Sequence, residues 1–399
     1  MMETMFRLVG FAAVATAIYV SCYRPSFRDC EISCTAQSGC PDGLSCDMGA
    51  GRCAIHGTCA PGDAPPNGSD DGGMPDASVA CWTYAPTNYN PCAPGFPGAG
   101  TITTTMIDTS NAGCDYASGA VCLYHVTNLS ITQPLHVVGP RPLIIVSDMD
   151  IDVEAPLSFD ATIGVPSSKC TAVSANSATR LGAGAGGGGY GAPGAPGGTG
   201  SGVVAPAGGM AFGSESLEPL YPGCPGANGG SATNIDGGAR GFGGGAIELS
   251  AKAEVHVGNA GVVSANGGGG DPGGFSGSNA SGGGGGGTGG SVLLEGTYVD
   301  VAGMVCAVGG GGGEGGIVST TISTPGGNGV GCTRGSGGAA GTGVGAGGNG
   351  GGSAAPVGGG NNGPNIAGGG GGGSVGRFRI HSVQTATTAG ATTVPPPTM

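Results

Sequence analysis

The chain is poor in charge. Asp, Glu, Lys and Arg make up 9% of its 399 residues, and only two are lysines, Lys169 and Lys252. A net charge of −13 with so few cations argues against nucleic acid as a partner, because binding it depends on clustered Lys and Arg. It gives no attraction to anionic membranes or polysaccharides either. Aromatic residues are 5%, and Trp82 is the single tryptophan. No Walker lysine and no H-E-x-x-H occurs. No helix-period segment of useful length follows the first twenty residues. The chain also lacks the high charge and low hydrophobicity of ordinary disorder, since 38% of it is hydrophobic.

What it has is glycine, 95 residues of it, against a usual share near 7%. Glycine-rich tracts cover 182–246, 266–291, 309–352 and 357–373. Collagen is excluded, because the strict triplet period fails. Calcium-binding nonapeptide repeats fail too, because Asp271 stands nearly alone in the glycine turns. Two readings of the tracts stand open. They are disordered excursions, or they pack as extended polyglycine, since glycine lets backbones approach closely.

Short apolar blocks lie between the tracts, and they repeat. Residues 246–265 align with 142–161 at a constant offset of 104: Ile247 with Leu143, Leu249 with Ile145, Val255 with Ile151, Val257 with Val153. The block 291–308 continues the pattern, with Val299 and Val301 in the places of Val255 and Val257 and Cys306 in the place of Ser264. Phe378 and Ile380 repeat the opening of a block. Each unit alternates with period two, which predicts half-buried strands. One unit cannot bury its apolar face alone, whereas stacked units can. The expected fold is therefore all-β, a parallel β-helix or solenoid-like domain with long glycine-rich loops. It spans 81–383, with a disordered tail at 384–399.

The amino terminus, MMETMFRLVGFAAVATAIYVSC, carries one basic residue and an apolar run too short to span a bilayer, which takes about 20 residues. Residues 1–21 read as a signal peptide. Val20-Ser21-Cys22 resembles the lipobox of bacterial lipoproteins, and that resemblance implies cleavage before Cys22 and lipid on its sulfur. Tyr19 departs from the usual leucine, so plain secretion with another cut site stays open. Residues 22–29 would then be a tether.

Fifteen cysteines in an exported chain point to disulfides. With Cys22 lipidated, fourteen remain, an even number. Cys30, Cys34, Cys40, Cys46, Cys53 and Cys59 form a module at 30–59 that is too small to bury a useful core, so bridges must hold it. Its run CPDGLSCDMGAGRC resembles small EGF-like modules; a zinc site is the rival, and the module lacks close C-x-x-C pairs. Residues 60–80 are a Pro/Gly/Asp linker. Cys81 and Cys92 follow, Cys114 and Cys122 bracket a short loop, and Cys170, Cys224, Cys306 and Cys332 could form two bridges that pin glycine loops.

Signal peptide, lipobox cysteine, six-cysteine module, acidic linker and glycine-rich strand repeats together resemble glycine-rich surface lipoproteins of Gram-negative bacteria. The resemblance rests on architecture and covers nearly the whole chain. It implies a location at the outer membrane or cell surface and membrane attachment through the lipid. It transfers no catalytic residue.

The best site candidate is SDMDIDVE, with its carboxylates on one strand face. The repeat places Asp152, His256 and Asp300 in one column if the blocks stack, about 4.8 Å apart. Such a column could hold a divalent cation such as Ca²⁺ or serve acid–base work. One-sided burial alone also places polar residues there. Ser374 matches G-x-S-x-G without the strand-turn-helix context that exposes a nucleophile. His125, His136 and His381 read as isolated surface residues. The leading expectation is a non-enzymatic surface protein, without a cofactor, that acts in structure, adhesion or binding to a glycan or protein. The alternative is a carbohydrate-active β-helix enzyme or a cation-binding protein.

Overall fold

The computed structural model describes residues 40, 45–47 and 52–54 of the amino-terminal region. From 82 to 399 it describes all but 83, 94, 111–113, 115–120, 162–169, 171–181, 202–203, 319–322, 339–344 and 364. The chain divides into two compact units, Met1–Asp76 and Ala77–Met399. In the first, β1 (Ser45–Asp47) and β2 (Arg52–Ala54) form an antiparallel pair with Cys46 opposite Cys53. The expected signal peptide, the lipidation site Cys22 and Cys30, Cys34, Cys59 and Cys81 lie outside the described residues.

The second unit begins with short strands: β3 (Met106–Asp108), β4 (Cys122–Val126), β5 (Leu129–Ile131), β6 (Leu135–Val138), β7 (Leu143–Ser147), β8 (Ile151–Val153) and β9 (Pro156–Ser158). Then come β10 (Ala246–Val257), β11 (Val262–Ser264), β12 (Phe275–Ser276), β13 (Asn279–Ala280), β14 (Ser291–Val301), β15 (Met304–Cys306), β16 (Arg377–Thr387) and β17 (Thr392–Val394). A seven-stranded parallel sheet runs β16-β14-β10-β7-β4, with β8 beside β10 and β5 beside β8. A six-stranded parallel sheet runs β17-β15-β11-β9-β6-β3. The offset of 104 is the register of β10 on β7 and β8, Ile247 pairing with Leu143 and Val255 with Ile151; the third block pairs in turn with the second, Val299 with Val255. The alternating apolar residues of both sheets meet in one core that includes Ile145, Leu157, Leu249, Val263, Leu294 and Val305.

The architecture corrects the expected fold class. The described residues form no continuous solenoid. They form two separate parallel sheets, and after β9, β11 and β15 the chain leaves them for the glycine tracts. Those tracts are not loops. They pack as a second layer of backbone on backbone, ordered throughout their described length.

Residues 282–290 show how. The amides of Gly282, Gly285 and Thr288 donate to the carbonyls of Gly230, Ala227 and Cys224. Those of Gly283, Gly286 and Gly289 donate to Gly368, Gly371 and Ser374, and those of Gly284, Gly287 and Gly290 to Asp271, Gly268 and Ala265. All nine bonds are 2.7–3.0 Å long. Every third residue therefore faces the same neighbour, and none of these amides bonds within 282–290 itself. Threefold periodicity without internal bonds is the polyproline II conformation. A 3₁₀ helix has the same period but bonds to itself. The carbonyls of the tract accept from three further segments, through Gly241, Gly188 and Gly313 among others. One tract thus has six neighbours, and its polar backbone is satisfied although it is buried.

Only glycine permits this spacing. A Cβ added at Gly285 would lie 2.1 Å from the Gly186 carbonyl oxygen, and one at Gly286 2.1 Å from that of Gly310. The tracts run directly into β10, β14 and β16, and the sheet ladder continues across the joins through Ser291 N to Gly245 O and Arg377 N to Gly290 O.

The second unit holds three bridges, Cys114–Cys122, Cys170–Cys224 and Cys306–Cys332, the last joining β15 to a glycine tract. Cys40, Cys46 and Cys92 are also disulfide-bonded. Residues 384–399, expected to be a disordered tail, instead complete β16 and supply β17. There Thr398 also pairs with β16 through Ile380 N and Phe378 O.

Candidate functional site

The face of the large sheet that points away from the core is divided in two. Beyond a bulge between Ala251 and Glu254 it is open to solvent, and here the column read from the repeat assembles. His256 stands in register with Asp152 on β8 and with Asp300 on β14. Its Nδ1 lies 3.0 Å from Asp300 Oδ2 and its Nε2 3.7 Å from Glu154 Oε1. Thr387 donates its hydroxyl to Asp300, and the Glu254 amide donates to Asp150 Oδ1 at 3.1 Å.

Glu254, His256 and Asp300 are half-buried, and each offers one ligand atom within 4.8 Å of the others. Asp152 keeps its place beside His256 but is not one of these three; Glu254 takes that role. Two carboxylates and an imidazole suit a zinc-like ion. They fall short of the six to eight oxygens that Ca²⁺ takes.

Before the bulge the same face is covered, which the sequence did not announce. Glu248 of β10 and Glu295 of β14 are fully buried. Residues 82–97 lie over them. Thr87 donates its amide to Glu295 Oε1 and Oε2 at 3.1 and 3.2 Å, and its hydroxyl donates to Oε1 as well. Asn88 Nδ2 donates to Glu248 Oε2 at 2.8 Å. Ser250 Oγ donates to Glu295 Oε2 at 3.2 Å, and His381 Nδ1 donates to Oε1 at 2.9 Å. The Tyr84 hydroxyl lies 3.0 Å from both Ser250 Oγ and the Ala251 carbonyl. Trp82, Tyr84, Tyr89 and Phe96 close the top in edge-on and stacked contacts.

Burial, and then the neighbouring Glu295 charge, push the Glu248 carboxyl well above the ordinary range. Burial pushes Glu295 upward too, but the bonds from His381 and Thr87 outweigh it and its carboxyl sits lower than usual. Burial raises Tyr84 and Tyr89.

No family model, no curated protein and no solved structure matches this chain. The reading therefore rests on its own residues.

Two histidines read as surface residues are not so placed. His381 serves Glu295, and His125 is buried, with its ring bonded to the Pro97 carbonyl at 2.6 Å and to Asp148 Oδ1 at 3.0 Å. His136 is exposed and contacts Ser158 Oγ at 2.9 Å. Ser374 is fully buried; its hydroxyl accepts from Tyr190 N at 3.0 Å and donates to Val375 O, a packing role rather than a nucleophile's. A cleft of about 310 Å³ at the end of the glycine layer is lined by neutral groups, among them Asn279, Asn362, Asn365 and Ser201. Among the described residues no helix is long and apolar enough to cross a membrane.

Proposed function

We propose that the protein is a non-enzymatic envelope protein, lipid-anchored through Cys22 at the outer membrane or cell surface. Its glycine-rich body would be a rigid scaffold with a structural, adhesive or partner-binding role. The observation that carries this reading is the tract 282–290, buried among six neighbours with its amides paired. Eight of its nine residues are glycine, without a side chain with which to do chemistry. It is stiff, and it holds the sheets at their ends. The cysteine bridges suit an oxidising compartment outside the cytosol.

The test is the mature protein itself, recovered from the envelope of its host. Mass spectrometry should find an amino terminus at Cys22 carrying acyl chains, and protease added to intact cells should reach the body. A soluble, unacylated product with another amino terminus would overturn the anchored reading.

A second reading has its own observation, the convergence of Glu254, His256 and Asp300. It makes the open half of the sheet a cation site. Titration calorimetry with Zn²⁺ should show one site in the wild type and none in His256→Ala or Asp300→Asn. Identical heats in the wild type and both variants would remove the site.

A further inference from the structure

Glu248 holds the most conspicuous unmet polar atom on the covered face. Its Oε1 is buried and accepts no hydrogen bond, although Oε2 is bonded to Asn88. An ionised carboxylate left so would carry an uncompensated charge in the interior. A protonated one has a donor to place, and the other buried carboxyl of this face is Glu295, which pairs across the strands with Ser250, two residues from Glu248 on β10. Glu295 is otherwise surrounded by donors: Thr87, Ser250 and His381. Each carboxyl also holds one residue of the segment above, Glu248 holding Asn88 and Glu295 holding Thr87.

We propose that the described residues of 82–97 form a releasable strap whose seat on the sheet is closed by a proton shared between Glu248 and Glu295, and that loss of this proton loosens the strap. Ionised together, the two carboxylates would repel each other in a buried site. Water reaches the pair by lifting the strap, whose other fastenings include the Tyr84 hydroxyl on Ser250 and the Ala251 carbonyl and the Pro97 carbonyl on the His125 ring. Asn88 is bonded to the Leu217 carbonyl and to Leu220 N, and the aromatic rings pack on Leu123, Ile144 and Val146. Cys92 of the strap is disulfide-bonded, but not to any cysteine of the bridges Cys114–Cys122, Cys170–Cys224 and Cys306–Cys332 that tie the body together.

The other charged groups of this face are engaged elsewhere. Arg379 donates to the Ser216 carbonyl and Arg377 to that of Phe212, His125 lies between Asp148 and the Pro97 carbonyl of the strap, and Lys252 is exposed. Tyr84 and Tyr89 face the pair from the strap, and burial raises both, so neither competes for the proton at moderate alkalinity.

The sign follows from the two directions. Glu248 sits above its ordinary range, so its contribution is complete at low pH and is lost as pH rises through its elevated value. Glu295 sits below its range, so its contribution is present above that range and is lost as pH falls through its lowered value. The strap is held best between the two and opens on the alkaline side through Glu248. Release would free roughly 50 Å of extended chain.

Trp82, the single tryptophan and 6% exposed, reports the strap directly. Acrylamide quenching of its fluorescence should rise severalfold as pH is raised above the ordinary carboxylate range, reversibly, while far-UV circular dichroism keeps the sheet signal. In Glu248→Gln the side chain stays neutral and still donates to Glu295, so quenching should stay low over the same range. Quenching in the wild type that does not change with pH would overturn the proposal. So would release at the same pH in Glu248→Gln, or loss of the strap only together with the sheet. The wild-type titration decides by itself should the variant fail to fold.

Discussion

Gly285→Ala should destabilise the body by about 3 kcal/mol or more, although it adds one methyl group and removes no bond. The added Cβ would sit 2.1 Å from the Gly186 carbonyl oxygen and 2.7 Å from its carbon. Neither atom is the end of a flexible side chain, so two backbones must part. Parting them stretches the bonds of Ala185 N to Gly283 O and of Gly188 N to Gly286 O. The gain from a stiffer unfolded chain, about 0.4–1 kcal/mol, is too small to compensate. Gly98→Ala is the control, because a Cβ there meets nothing within 4 Å. It should shift stability by no more than about 0.5 kcal/mol. Urea unfolding of both variants measures the difference, and equal midpoints would mean that the tract is not packed as described.

Removing the Cys170–Cys224 bridge should cost about 4 kcal/mol on the loop-entropy account, because it closes a separation of 54 residues. Its place in the glycine layer gives a second reason. Cys224 is fully buried, its amide donates to Thr288 Oγ1 at 2.8 Å, and its carbonyl accepts from Thr288 N at 2.9 Å. The bridge thus pins a neighbour of the central tract. The Cys170→Ser, Cys224→Ser double variant should unfold at clearly lower urea than the wild type. Removing Cys114–Cys122, which closes a separation of only 8 residues, should cost less, about 2–3 kcal/mol. The reverse order would show that chain entropy does not govern these bridges.

The sheets are legible in the sequence, down to register, because strand alternation has a fixed period and the apolar positions recur at a fixed offset. Ile247 against Leu143 and His256 against Asp152 follow from the offset of 104, and His256 against Asp300 from the match of the third block to the second. The glycine layer is not legible. Its order comes from backbone hydrogen bonds between tracts far apart in sequence, and glycine leaves no side-chain pattern to register them. A threefold period is invisible in a run of identical residues. That is why the expected solenoid with glycine loops gives way to two sheets and a packed backbone layer.

The candidate site is legible in part. Register brings His256 and Asp300 together, but Glu254, two residues before His256 on the same face of β10, rather than Asp152 is the third converging ligand. The Glu248–Glu295 pair escapes a reading of the sequence for a physical reason. Alternation assigns polar residues to the uncovered face, and only a long-range contact with residues 82–97 buries them. The one hint is compositional: an aromatic cluster at Trp82, Tyr84, Tyr89 and Phe96, next to no apolar partner in sequence.

Amide hydrogen exchange of residues 282–290, set beside that of β14, tests the central claim most directly. If the tract is a buried polyproline II strand bonded to its neighbours, its amides should be protected to a degree comparable with Ser291–Val301 and should exchange only when the body opens. Exchange of these glycine amides at the rate of an unstructured chain, while β14 stays protected, would contradict the account.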